Sequence, residues 1–275
     1  MKFERFSSRA VALMAAPVLC TAVLWAPVLP AQTGYTAPAS GLDAAQVADL
    51  VLANHILANE GVLDGYGHVS VRDARNPNHF LLSRAAPAGA VTPADIVEYD
   101  LDANPVSDKT SVGYLERYIH AEIYKARPDV MAIIHTHAPE VIPFTVTGVP
   151  LRPMIHMAGF MPQDVPVFDN RKVAGMTDLL IRTPQLGQAL AQALGANPMI
   201  LLRGHGAVVV APSLHVVVGR AYYMAADAKD ELQAITLAGG VDKVTFLAPE
   251  EADKAAAQDG FERAWAFWKS KLESK

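Results

Sequence analysis

The sequence predicts an α/β protein: a single three-layer α/β/α domain built on a central, largely antiparallel sheet. Three observations carry this. Strand-length apolar runs alternate with helix-period segments from residue 42 to residue 248, with no linker between them. Two of those runs, in "PMILLRGHGAVVVAP", are joined by the tight "GHG", which turns the chain back on itself. About 244 residues remain after the N-terminal segment, a length that suits one such domain.

The chain opens "MKFERFSSRAVALMAAPVLCTAVLWAPVLPAQ". Lys2, Arg5 and Arg9 precede an apolar stretch over residues 10–29, and small Ala31 precedes Gln32. This is the layout of an export signal, expected over residues 1–31 and cleaved near Ala31, with 32–41 as a linker. An uncleaved membrane anchor is the alternative, because the stretch approaches spanning length. Pro17, Pro27 and Pro30 favour a processed segment over a permanent helix. The expected location is exported and periplasmic, with no stable membrane partner after cleavage.

"GLDAAQVADLVLANHILANEG" reads as an amphipathic helix with Val47, Leu50, Val51, Asn54 and Leu57 on one face and Gly61 as its stop. "HVSVR", "HFLLS" and "DIVEYD" read as short strands, the last closed by a turn at "LDANPV". "GYLERYIHAEIYKARPD" supplies a second helix, ended by Arg127-Pro128. "VMAIIHTH" is a buried strand, and "APEVIPFTVTG" a short helix or turn. "TPQLGQALAQALG" is a helix capped by Thr183, with Pro184 in its first turn and Gly195 at its end. Strands at Met199–Arg203 and Ala207–Val210 follow. A long helix then runs from Ser213 to Gly239-Gly240. Residues 249–275 are expected to form one C-terminal helix, with Trp265 and Trp268 packing on the body or on a neighbour.

Cys20 is the only cysteine and lies in the export segment, so a metal in the mature chain must be held by nitrogen and oxygen. The segment carries a net +2, so its removal takes the formal charge from −5 to −7. A mildly acidic chain with no basic run excludes nucleic acid and anionic membrane as expected partners and leaves a small-molecule substrate.

His135 and His137 end the apolar strand two residues apart, so their side chains leave the same face. His205 sits between Gly204 and Gly206, which let the backbone approach closely and the imidazole turn inward. Glu116 lies on the helix before the strand. Three imidazoles converging from separate rigid elements leave coordination positions open, the pattern of a catalytic site.

These residues resemble the class II aldolase/adducin family, typified by fuculose-phosphate aldolase, over most of residues 42–248. The resemblance rests on "GHVSVR", on the glutamate ahead of "RPDVMAIIHTH", and on "LLRGHGAVVV". It implies one divalent ion per chain on His135, His137 and His205. Zinc is the first expectation, with manganese, iron, cobalt or nickel also suited to histidine. It further implies Glu116 as acid/base or alternate ligand, and a homo-oligomer, often a tetramer.

The chain departs from the sugar-phosphate members where they hold phosphate. Gly67-His68 stands for Gly-Asn, and Tyr114-Leu115 for a serine pair; Met157, beside His156, stands for a proton-donating tyrosine. The variant blocks look closer to the branch that decarboxylates hydroxylated aromatic acids. The expected function is therefore a metal-dependent C–C lyase, a decarboxylase of a hydroxylated aromatic acid. An aldolase acting on a non-phosphorylated substrate is one alternative, and a non-catalytic adducin-like module is another. An iron site activating O2 is a third. Glu116, His68 and His156 are the candidate catalytic residues, His68 and His156 as acid/base or carboxylate-binding groups beside the metal. Phe144, Phe160, Met154 and Met157 are candidates for an apolar pocket, core packing being the simpler reading. Arg72 and Arg203 are candidates for a substrate carboxylate, with structural pairing as the alternative. His120, four residues after Glu116, is expected to orient it.

Overall fold

The computed structural model describes residues 41–106, 108–257 and 260–274. Helix α1 (Ala44–Asn59) begins at Asp43, whose carboxylate accepts from the amides of Ala45 and Gln46 and so satisfies two of the helix's free donors. Strands β1 (His68–Arg72), β2 (His79–Ser83) and β3 (Ile96–Asp100) form an antiparallel meander. Helix α2 (Arg117–Ala126) leads into β4 (Ala132–Thr136), which pairs antiparallel with β1. Short α3 (Ile142–Val146) and a 3-10 turn at His156–Ala158 precede β5 (Val167–Phe168) and α4 (Arg171–Ala174). Helix α5 (Pro184–Leu194), strands β6 (Met199–Leu202) and β7 (Gly206–Ala211), and helix α6 (Leu214–Ala238) follow. The seven strands lie in the order β3-β2-β1-β4-β7-β6-β5, and every pairing is antiparallel except that of β5 with β6.

Alternation along the strands divides the core into two layers. Val69, Val71, Ala132, Ile134 and Val209 face one side, where Leu50 and Leu57 of α1 and Val217 and Met224 of α6 cover them. Phe80, Leu82, Ile133, Val208 and Val210 face the other, beneath Ile119 and Ile123 of α2 and Leu186 and Leu190 of α5. Each fully buried isoleucine or leucine contributes about 1.5–3 kcal/mol by leaving water. Because both faces of β4 are covered, its sequence is a continuous apolar run rather than an alternating one.

Three details differ from the sequence reading. The tail forms two helices, α7 (Pro249–Ala256) and α8 (Glu262–Glu273), rather than one. The break includes Phe261, a non-glycine residue with φ 52° that stands outside the helical conformation immediately before α8. Trp265 and Trp268 are buried on the body, stacking on His215 and packing on Tyr222. Strand β5 went unpredicted, because two residues carry no periodicity. Glu116 is not inside a helix but at the boundary of α2, with φ −91° and ψ 17°. The expected export segment, residues 1–31, and residues 32–40 of the expected linker lie outside the described residues. Among the described residues no helix is long and apolar enough to cross a membrane.

Candidate metal centre

The centre is built where β4 passes between β1 and β7. His135 is the next-to-last residue of β4 and His137 lies one residue beyond its end. The β6–β7 turn delivers His205 beside them. Gly204 takes φ 62°, a conformation costly for other residues, and its amide donates to Thr145 Oγ1 at 2.9 Å. Gly206 is required by contact: a Cβ there would stand 2.0 Å from the Thr136 carbonyl oxygen. The glycines thus let the turn close onto β4 and carry His205 inward.

The three Nε2 atoms converge. His137 Nε2 lies 3.0 Å from His135 Nε2 and 3.1 Å from His205 Nε2. Glu116 Oε2 lies 3.4 Å from the Nε2 of both His135 and His205. The four donor atoms all fall within 4.8 Å of one another.

Their protonation shows why a cation fits. His135 Nδ1 faces the Ala207 carbonyl at 3.1 Å, so it carries the hydrogen. His137 Nδ1 faces both carboxylate oxygens of Asp64 at 3.2 Å and carries its hydrogen likewise. In neutral rings both Nε2 atoms are then lone pairs, pointed at each other across 3.0 Å with no hydrogen between them. A divalent ion held by these nitrogens would relieve that repulsion. Zinc–nitrogen bonds of about 2.0–2.1 Å in tetrahedral array separate ligand nitrogens by roughly 3.3 Å, close to the spacing here.

Burial opposes ionisation of Glu116, but positive charge at the adjacent histidines, His135 first and then His205, each 3.4 Å from Oε2, outweighs it; with those rings neutral, a cation held among them would exert the same pull. Its carboxyl is held far below the usual range and stays ionised. Its other oxygen accepts from the Ile181 amide at 2.7 Å, which fixes the carboxylate's orientation. Burial and the neighbouring His135 and His205 lower His137, against Asp64, which raises it. The imidazole therefore stays neutral and able to ligate. Asp64 itself is pushed up by burial but held low by the amides of Tyr66 and Gly67 and by His137.

The model of the class II aldolase and adducin N-terminal domain matches residues 48–232. The chain belongs to the class II aldolase/adducin family. It is 38% identical to decarboxylase tropJ of Talaromyces stipitatus, over 80% of this chain and 91% of that one. It is 34% identical to 3,4-dihydroxyphthalate decarboxylase of Arthrobacter keyseri, over 70% and 80%. Among solved structures it resembles an aldolase II superfamily protein from Pseudomonas syringae, with TM-score 0.70 and 22% identity, covering 84% of this chain and 92% of that one. This class II aldolase-family chain is an enzyme, a lyase, not a non-catalytic module.

Of the six expected site residues, the fold brings Glu116, His135, His137 and His205 into one cluster. His68 lies against it, opposite His135 across the β1–β4 pairing with ring centroids 5.1 Å apart. It is fully buried, and burial, with His120 and His135 nearby, pushes it well below the ordinary histidine range. A neutral imidazole with one nitrogen already bonded to His120 does not suit the acid/base role expected for it. His156 is not in the cluster. It is exposed, and lines a separate cleft of about 1140 Å³ with Tyr222, Tyr223, Phe267 and Trp268, because its 3-10 turn packs on α6 and α7.

His120 does not orient Glu116; its two ring nitrogens engage His68 and Ser70. Phe144 is a core residue, whereas Phe160 packs in the core and, with Met157, also lines the cleft that holds His156. Arg72 is consumed by the carbonyls of Pro77, Tyr124, Arg127 and Val130, and Arg203 pairs with Asp169. The residue missed is Asp64. Its "DG" reads only as a turn, and nothing local shows that it reaches His137, 73 positions away.

Proposed function

We propose that this protein is a divalent-metal-dependent decarboxylase acting on a hydroxylated aromatic carboxylic acid. The observation that carries the reading is the inward-facing set of three histidine nitrogens with Glu116, in a chain whose relatives are named as decarboxylases over most of their length. Bound by His135, His137 and His205, a divalent ion would supply Lewis acidity toward adjacent substrate oxygens. The chain's own residues do the rest. Asp64 and the Ala207 carbonyl lock His137 and His135 in the tautomer that ligates. Glu116, held by the Ile181 amide, presents Oε2 beside them. When the bond to the carboxyl group breaks, CO2 leaves and the electron pair remains on the ring carbon, which must take up a proton. Glu116 is the group placed to relay that proton. Support for a homo-oligomer and for an exported, periplasmic setting comes from the family resemblance and from residues 1–31.

The test is a screen of the zinc-, manganese- or iron-loaded protein against hydroxylated aromatic and aliphatic carboxylates, with and without O2, following CO2. Release from a hydroxy-aryl acid in both atmospheres is expected. Dependence on O2, or cleavage only of hydroxy-carbonyl substrates, refutes the proposal. Glu116→Gln should retain metal and lose turnover, since its amide oxygen still accepts from Ile181; normal turnover would remove the proton role.

A further inference from the structure

A second polar system runs through the apolar layer between the sheet and α2. Ser70 follows His68 on the same face of β1, and His120 and Tyr124, four residues apart, face them from α2. Tyr124 Oη lies 2.8 Å from Ser70 Oγ, Ser70 Oγ 2.6 Å from His120 Nδ1, and His120 Nε2 2.7 Å from His68 Nδ1. All four side chains are buried, at 1% exposure or less. Phe80 flanks His120 and Tyr124, so the chain is walled by apolar groups.

Hydrogen counting gives this chain a direction. Each neutral imidazole has one N–H, and each hydroxyl has one hydrogen. If Ser70 donated to Tyr124, the phenolic hydrogen would have no acceptor, because Ser70 is the only hydrogen-bond partner of Tyr124 Oη among the described residues. If both Tyr124 and His120 donated to Ser70, the serine hydrogen would be stranded instead. A buried donor left unmatched costs about 1–3 kcal/mol. One arrangement satisfies every hydrogen within the relay and moves the one left over to its His68 end: Tyr124 donates to Ser70, Ser70 to His120 Nδ1, and His120 Nε2–H to His68 Nδ1. His68 must then carry its own hydrogen on Nε2, at the ring edge away from His120, on the sheet face shared with His135. Its ring is held between His135, at 5.1 Å, and Tyr114, at 4.3 Å.

We propose that Tyr124, Ser70 and His120 are positioning residues that fix His68 as a neutral Nε2–H donor, and that this donor receives an anionic oxygen of the substrate's carboxylate. Of the two roles expected at His68, acid/base or carboxylate binding, the relay selects the second by making the ring a permanent hydrogen-bond donor. Only the ligand class rests on the decarboxylase reading; the tautomer does not.

The experiment is long-range 1H–15N correlation spectroscopy of the full-length, 15N-histidine-labelled, zinc-loaded protein at neutral pH, with His68 assigned by its loss in His68→Gln. The expected result is a single His68 tautomer, protonated at Nε2 and bare at Nδ1. Ser70→Ala, which removes the donor to His120, should lose this single pattern and populate both tautomers. An Nδ1–H or doubly protonated His68 in the wild type overturns the proposal, as does an unchanged His68 pattern in Ser70→Ala. In a second arm, 2-hydroxybenzoate should shift the His68 Nε2–H resonance saturably, and the absence of any His68 shift overturns the donor role. CO2 release is measured separately. Turnover without that shift removes His68 and leaves the decarboxylase standing; the shift without turnover does the reverse.

Discussion

Helix α6 buries two carboxylates one turn apart, and they set the direction in which stability changes with pH. Asp227 Oδ1 accepts from the amides of Met154 and Ile155 at 2.9 and 2.8 Å, and Glu231 Oε2 accepts from the Arg152 amide at 3.0 Å. Asp227 Oδ2 and Glu231 Oε1 are buried with no partner among the described residues. Burial raises Asp227 from 3.8 to about 6, with Asp230 adding repulsion and the two amides pulling the other way. Burial likewise raises Glu231 from 4.5 to about 7, with Asp227 adding repulsion and Arg152 opposing it. At 1.36 kcal/mol per pH unit, ionising each in the folded state costs about 3 kcal/mol. The folded state holds these protons more tightly than the unfolded one. Their stabilisation is therefore complete below about pH 4 and is lost as pH rises through 6 to 7. The isosteric pair Asp227→Asn and Glu231→Gln removes the titration while keeping acceptors for the three amides. At about 2–4 °C per kcal/mol for a domain of this size, the variant should melt higher than wild type at pH 8. With about 6 kcal/mol for the two together, the gap should be about 12 °C or more and should close toward pH 4.5. Thermal denaturation across pH 4.5–8.5 measures it, and a wild-type-minus-variant difference that does not change with pH refutes the reasoning.

Three further outcomes follow from the metal centre. His137→Ala should leave less than the roughly one ion per chain expected of wild type, as measured by elemental analysis; equal contents would remove the ligand assignment. Asp64→Ala should keep the fold and weaken metal affinity by about 10–100-fold, because His137 loses the partner that fixes its tautomer. A competition titration with a chelator reads this, and unaltered affinity would show that Asp64 does not orient the ring. Gly206→Ala should destabilise by about 3 kcal/mol or fail to fold, since its Cβ collides with the backbone of β4 rather than with a movable side chain. A urea midpoint equal to wild type would show that the β4–β7 approach can relax.

The sequence carried much of this fold because its signals are local and periodic. Strand limits for β1 and β2, the Asp43, Thr183 and Ser213 helix starts, and the glycine stops at Gly195 and Gly239 all follow from side-chain chemistry acting within a few residues. The convergence of His135, His137 and His205 was legible because a strand end and a glycine-flanked turn state their geometry in short motifs. Phe144 and Phe160 were less so: an aromatic residue near a site motif looks the same whether it lines a pocket or fills the core, and Phe144 fills the core while Phe160 does both, at the cleft holding His156.

What the tertiary structure alone decided are relations between distant segments. Asp64 reaches His137 only because the α1–β1 turn lies beside the end of β4. Strand pairing set His68 opposite His135 and the packing of α2 set His120 against His68, while the turn carrying His156 packs away from the cluster. A histidine's sequence neighbours fix where its backbone lies. Its hydrogen-bond partners fix which nitrogen carries the hydrogen, and those partners arrive from 52 residues away for His68 and 73 for His137.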